Sequence, residues 1–412
     1  MFKVAILVDL ELSRKSGGHV KFWERITNSI SKEKLDCCLE IFFLGKFKKI
    51  IDVSENIKFR INKPILSSRI LKFFGIDADY TDLFPINLRL FFQLRKFDII
   101  HTTDQLFSMS KTAYLASRFW KIPLTTSYHT DAPAYSKYYV KKIINFLPKF
   151  ISKFFSTKIN IPEIIEISQR KKIFKFFQKS EFVLANNSIG RHKFSKKERS
   201  DNKIKELNRG VEKQIFKEQK IDKKKLLKEF KIPINDKIIF FCGRIHELKG
   251  ALFLAEIHAS LRKIGHKTTT ILSGENIHGE LCKKKGGKNL IILDYLSPEY
   301  ISKFMNICDL FVFPSEYETG PQVVLEAKAC KTVCVVSPGG GGRRIEKNFF
   351  DGVIIKNYQL NEWTSTISNL LKKPEKIKLI KKNLSNQKDL VTWKEVFFNL
   401  FYNNWKNIIK NK

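Results

Sequence analysis

The chain has 412 residues, 43% of them hydrophobic and 28% charged, which is enough apolar material for about two or three packed domains and excludes a disordered chain. Its 76 Lys+Arg against 41 Asp+Glu leave a formal charge of +35, which calls for an anionic partner: nucleic acid, an anionic membrane surface or a phosphorylated substrate. Seven cysteines without a CxxC pair read as reduced, mostly buried thiols, so a zinc site is not expected.

In chain order, residues 4–8 (VAILV) read as a buried strand. Asp9 and Glu11 follow too soon for a signal peptide, and no apolar run approaches the roughly 18–20 residues of a membrane span, so a cytoplasmic chain is expected. Ser16-Gly17-Gly18 then makes a turn into a helix from about His19, the first unit of a doubly wound α/β lobe. Further strands are expected at 97–101 (FDIIH), 123–128 (PLTTSY) and 181–185 (EFVLA), with a helix over 106–120. The alternation restarts with a helix at 222–230 and strands at 237–242 (KIIFFC), 268–272, 290–293, 309–313 and 333–336. A last amphipathic helix over 391–409 carries Trp393, Phe397, Leu400, Phe401 and Trp405. The expected architecture is α/β, with two doubly wound Rossmann-like lobes whose parallel sheets face a central crevice. The expected divisions are 1–208, 209–390 and a C-terminal helix at 391–412 that returns to the first lobe.

In such lobes ligands sit beyond the carboxyl ends of the strands. Gly243-Arg244 follows strand 237–242, and Lys249-Gly250 opens the next helix. Arg244 and Lys249, five apart at a strand-to-helix turn, suit a diphosphate or merely a solvated basic surface. Strand 309–313 leads into Glu318 on a loop, with Glu326 eight residues on in a helix beginning near Pro321. A carboxylate among Val324, Leu325 and Ala327 is costly to bury unless it is bonded, and sugar hydroxyls are suitable donors.

These residues resemble a family. SEYETGPQVVLEAKAC (315–330) is similar to the Glu-x7-Glu signature of retaining GT-B glycosyltransferases, glycosyltransferase family 4 above all. Gly243-Arg244 with Lys249-Gly250 resembles the family's diphosphate segment, SYHTDAPAY (127–135) its first-lobe loop, and LNRGVEKQIF (207–216) its interlobe segment. The resemblance implies that Glu326 binds the nucleotide ribose and that Glu318 and His129 lie at the donor sugar. Arg244 and Lys249 would neutralise the leaving diphosphate, and Gly17 and Gly18 would let backbone approach the phosphates. Thr319 and Gly320 belong to the same donor loop. Tyr295 and Leu296, after strand 290–293, are where base contacts are expected. His101, closing strand 97–101, Asp104 beyond it, and His19 are further candidates for the same crevice.

The chain departs from the pattern in places. Pro321 has no N–H to offer. The run 339–342 of glycines ends in Arg343-Arg344, which fits an anionic sugar or acceptor as well as a solvated basic loop. Asp77-Ala78-Asp79 mimics the metal-binding DxD of the other glycosyltransferase fold, but so short a motif recurs by chance. No cofactor and no metal are expected beyond the nucleotide-sugar co-substrate.

Between Lys137 and Lys179 there are eleven Lys/Arg against Glu163 and Glu166, with nine Phe/Tyr. At about 100° per residue, Ile143, Ile144, Leu147, Ile151 and Phe154 share a face and Lys142, Lys149 and Lys153 oppose it. Pro148 would kink or divide that helix. This is the pattern of an interfacial helix on anionic lipid, or of a helix packed on its own lobe. The reading that results is a retaining hexosyltransferase at the inner face of the cytoplasmic membrane. It would move a sugar from a UDP- or GDP-linked donor to a lipid-linked or glycan acceptor in cell-envelope synthesis. A basic nucleic-acid-binding protein is the alternative in another class, although no RNP, zinc-finger or helix-turn-helix signature appears and the basic residues are spread along the chain. A sugar-nucleotide epimerase or phosphorylase on the same fold is a third.

Overall fold

The computed structural model describes residues 1–13, 16–74 (backbone alone at 72 and 74), 79–185, 203–315, 318, 320–339, 341–385 and 390–412. The chain divides into two compact units, Met1–Asn208 with Trp393–Lys412, and Arg209–Thr392.

The first unit is built on eight strands: β1 (Phe2–Glu11), β2 (Cys37–Leu44), β3 (Lys49–Ser54), β4 (Ile57–Asn62), β5 (Ile99–Thr102), β6 (Leu124–Ser127), β7 (Val183–Ala185) and β8 (Ile204–Glu206). They lie in the order β3-β4-β2-β1-β5-β6-β7-β8, and every pair is parallel apart from the β3–β4 hairpin. β1 is buried along most of its length, as a central parallel strand requires. It runs longer than residues 4–8 because a register shift against β2 after Leu7 lets pairing resume at Glu11. β2 is disguised in sequence by Glu40, whose carboxylate is held in the fold by Arg60 and, at 3.2 Å, by Lys96 Nζ.

The last helical segment belongs to this unit. It is helical over Trp393–Val396 and Asn403–Lys410, with a wider, π-type turn over Phe397–Tyr402 between them. Trp393, Phe397, Phe401 and Trp405 are buried, and Phe401 packs edge-on against Phe22 and Trp23. Burying each such ring contributes roughly 1.5–3 kcal/mol, so the tail is part of the core.

The basic aromatic stretch is not one helix. Helix Ala132–Ile144 ends before Pro148, a short helix Lys149–Lys153 runs into a π-type turn at Phe154–Lys158, and helix Ile161–Gln178 follows. Pro148 lacks the N–H the ladder needs and so divides it. The expected apolar face is divided too: Ile144 is buried, Ile143 and Ile151 are half-buried, and Leu147 and Phe154 are exposed, as are Phe146 and Phe150 outside that face, Phe150 by 76%. Lys149 and Lys153 are exposed beside them, and Lys142 is half-buried. Among the described residues no helix is long and apolar enough to cross a membrane.

The second unit carries β9 (Lys237–Cys242), β10 (Thr268–Ser273), β11 (Leu290–Leu293), β12 (Leu310–Phe313), β13 (Cys334–Val336) and β14 (Val353–Ile354). Their order is β11-β10-β9-β12-β13-β14, all parallel. Its core spans all six strands and includes Val211 and Phe216 of the segment 207–216. In both units the winding reverses beside the first strand, between β1 and β5 and between β9 and β12. Ligands of such folds bind outside the strand ends at that point.

Candidate active site

In the second unit the reversal point is crowded with loops that need glycine. A Cβ on Gly250, where φ is +78°, would lie 2.3 Å from the Pro314 carbonyl oxygen beyond β12. A Cβ on Gly274, beyond β10, would lie 2.2 Å from the Gly243 carbonyl oxygen beyond β9. Three loops thus touch backbone to backbone. Ser315 Oγ donates to the Leu248 carbonyl at 3.0 Å, and Tyr358 Oη donates to that of Pro314 at 2.8 Å.

This contact brings the charged residues together. Lys249 Nζ pairs with Glu318, so the β9 and β12 loops are joined across the reversal point. Arg244 Nε lies 3.2 Å from Glu275 Oε2 on the β10 loop. The Glu318 N–H donates to the Gly339 carbonyl at 3.4 Å, which ties the β13 loop to the same place. Glu326 is 2% exposed on helix Gln322–Ala329, whose start carries no side-chain cap. Gln322 Nε2 donates to the Gly210 carbonyl at 2.7 Å and so fixes segment 207–216 against this helix. Gly320 is buried, and Thr319 lies outside the described residues, as does Asp77. Tyr295 is 52% exposed beyond edge strand β11, while Leu296 packs against the core. Of that pair, only Tyr295 presents much of its surface.

Several contributors are not evident from the sequence. His246 Nδ1 accepts from the Leu248 N–H at 3.1 Å and so caps the turn that carries Lys249. His278 stacks on it at 4.5 Å and accepts from the Glu247 N–H at 3.3 Å. His246, Glu247 and His278 bring one ligand atom each within 4.8 Å of one another. Both Nδ1 atoms already accept backbone N–H groups, which puts the ring proton on Nε2 and suits anions better than a cation. Lys328 and Asp351 form a buried pair at 2.7 Å, and Lys328 Nζ also donates to the Arg344 carbonyl at 2.6 Å. That anchors the loop bearing Arg343, which is exposed, and Arg344, which is half-buried.

In the first unit, Gly17 precedes helix Gly18–Ile30 in an extended conformation, and no side chain caps that helix start. Gly17 and Gly18 are exposed. His129, two residues beyond β6, is 4% exposed. His19 stacks on it with centroids 4.4 Å apart and planes 7° apart, and Phe22 meets it edge-on. His129 Nε2 lies 2.8 Å from Ser127 Oγ. His101 is fully buried, with Nδ1 2.9 Å from Thr125 Oγ1 and Nε2 2.9 Å from Ser127 Oγ. It lies behind His129 rather than lining a surface, and burial pushes its ring down to about 3, so it is neutral. Asp104 holds the turn that leads into helix Ser108–Trp120, accepting from the Leu106 and Phe107 N–H groups and from Ser110 Oγ. The seven cysteines are free thiols, six of them buried.

Residues 222–387 match the family model of the glycosyl transferases group 1. A putative glycosyltransferase EpsF of Bacillus subtilis is 34% identical over 103 residues, 24% of this chain and 27% of that protein. An N,N'-diacetylbacillosaminyl-diphospho-undecaprenol alpha-1,3-N-acetylgalactosaminyltransferase of Campylobacter jejuni is 29% identical over 224 residues, 54% of this chain and 58% of that one. The chain therefore spans less than two thirds of either relative. The crystal structure of Anabaena Alr3699/HepE in complex with UDP and glucose superposes with a TM-score of 0.68 at 15% identity, over 98% of this chain and all of that one. The shared architecture is the GT-B fold, a pair of Rossmann-like units.

Proposed function

We propose, from residues 222–387 belonging to the group 1 glycosyl transferases, that this protein is a retaining glycosyltransferase. It moves a hexose from a UDP- or GDP-linked donor to a lipid-linked acceptor in cell-envelope glycan assembly. The observation that carries this reading is the cluster at the β9/β12 reversal point, where Arg244, Lys249, Glu318 and the uncapped start of the Glu326 helix belong to loops in direct contact. A sugar diphosphate asks for that mixture: cations and N–H groups for the phosphates, carboxylates for the hydroxyls.

Catalysis on this reading is positioning plus stabilisation of the leaving group. Negative charge grows on the diphosphate as the glycosidic bond breaks. Arg244 and Lys249 meet that charge, exchanging part of their pairing with Glu275 and Glu318 for phosphate oxygens. Glu318, released from Lys249, accepts from donor-sugar hydroxyls. Glu326 accepts from the ribose, and Tyr295 contacts the base. His129 touches the transferring sugar, with Gly17 and Gly18 beside the phosphates.

The Campylobacter relative, a transferase acting on a diphospho-undecaprenol-linked sugar, supports a diphospho-polyprenol acceptor. Exposed Phe146, Phe150 and Phe154 beside Lys149 and Lys153 support docking on anionic lipid, with Lys142 nearer the body of the unit. The test is incubation of the purified protein with UDP- and GDP-hexoses and a polyprenyl-diphosphate-linked sugar. The expected result is acceptor-dependent release of UDP or GDP and an α-linked product from an α-linked donor. An inverted anomer contradicts the retaining assignment, and a modified donor without transfer favours the epimerase reading.

A further inference from the structure

Strands β5 and β6 are polar where buried strands are ordinarily apolar. They pair in register, His101 opposite Thr125. Alternation puts Thr125 and Ser127 on one face of β6, where His101 reaches both hydroxyls. Around this polar line stand Trp23, Phe182, Phe401 and Trp405, with ring centroids 5.3–6.4 Å from that of His101. In so dry a setting each hydrogen bond must be closed. The line begins at Trp405 Nε1, 3.3 Å from Thr125 Oγ1, and ends at His129.

Proton counting gives the line a direction. A neutral imidazole has one donor and one acceptor, a hydroxyl has one proton, and an indole only donates. The Thr125 proton has two acceptors in reach, His101 Nδ1 at 2.9 Å and the Ile100 carbonyl at 3.4 Å. The shorter contact is favoured, and the indole N–H donating to the same oxygen strengthens Thr125 as a donor. His101 Nε2–H then donates to Ser127 Oγ, and Ser127 donates to His129 Nε2.

We infer that Trp405 and His101 are positioning residues that set the tautomer of His129, making it a donor through Nδ1. The C-terminal segment thereby acts on the His129 side chain through Thr125, His101 and Ser127. The consequence for transfer rests on the reading that His129 contacts the donor sugar. The tautomer assignment does not.

The test is long-range 1H–15N correlation of the histidine rings in the 15N-labelled full-length protein, with His129 assigned through His129→Gln. The expected native spectrum has His129 protonated at Nδ1. Thr125→Val is expected to move its population toward the Nε2–H form, Trp405→Phe to do so in part, and Thr125→Ser to leave it native. The last two keep the packing and guard against a folding failure. Partners that orient a functional histidine are worth roughly 10–100-fold in activity at metal sites. The same range is expected for the loss of kcat in Thr125→Val with UDP-glucose or GDP-mannose, with KM little changed. Nε2–H protonation in the native protein, or an unchanged tautomer in Thr125→Val and Trp405→Phe, overturns the assignment. A shifted tautomer with unchanged kcat overturns the positioning role, and with it the contact between His129 and the sugar.

Discussion

Gly250 decides whether Lys249 and Glu318 meet. Its φ of +78° is open to few L side chains, and the Pro314 carbonyl occupies the space a Cβ would need. Gly250→Ala should therefore destabilise the protein by about 1–3 kcal/mol and weaken nucleotide binding, because the loop that moves carries Lys249. Chemical denaturation and a binding isotherm check both effects, and a variant with native affinity contradicts the convergence described above. At this scale Arg244, Lys249, Glu318 and Glu326 were legible because each stands at a fixed offset from an apolar strand. Glu275, His246 and Ser127 were not: their importance depends on which loops meet, and that is a property of strand order. His101 was legible as the residue closing a strand but not as a buried one. The neighbours that bury it lie far away in sequence, at Trp23 and at the C-terminal segment.

The helix that carries Glu326 is held by a charge on its buried side. Lys328 is buried, pairs with Asp351 and donates to the Arg344 carbonyl. Removing one partner of a buried pair costs about 3–5 kcal/mol, and Lys328→Met should lose that much stability in denaturant. Burial alone would raise the Asp351 carboxyl. Hydrogen bonds from Lys328 and from the Lys347 and Glu346 N–H groups outweigh it and hold the group below the usual carboxylate range. A depressed carboxyl contributes its full stabilisation above the unfolded value of about 3.9 and loses it as pH falls through the folded value. Acid titration of stability should thus be steeper for the native protein than for Lys328→Met. Equal slopes would show that the pair does not anchor the loop. The elements themselves were legible wherever the apolar run was unbroken, as in β9 and β11. β2 was hidden by Glu40, and the β3–β4 hairpin by its alternating charges. The break at Pro148 was legible as well, because a missing N–H outweighs a good apolar stripe, and helix Ala132–Ile144 is separate from Lys149–Lys153.

Across the whole molecule the charge of +35 is compatible with nucleic acid, lipid and nucleotide alike. The exposed phenylalanines at 146, 150 and 154 favour lipid as the second partner, since lysines alone would need no apolar neighbours. Flotation with vesicles containing anionic lipid should recover the protein at low salt. Phe150→Ser should reduce recovery without changing nucleotide affinity, and raised salt should weaken binding of both forms. Absence of binding at low salt would sink the membrane reading. The central claim, that the second unit holds a nucleotide sugar at the β9/β12 reversal point, is tested most directly by thermal stabilisation with UDP, GDP, ADP and their sugar conjugates. A ligand at 100 times its dissociation constant stabilises by about 2.7 kcal/mol. The account predicts a clear upward shift with UDP or GDP and their conjugates that is lost in Glu326→Ala. No shift with any of them, or an equal shift in the variant, would contradict it.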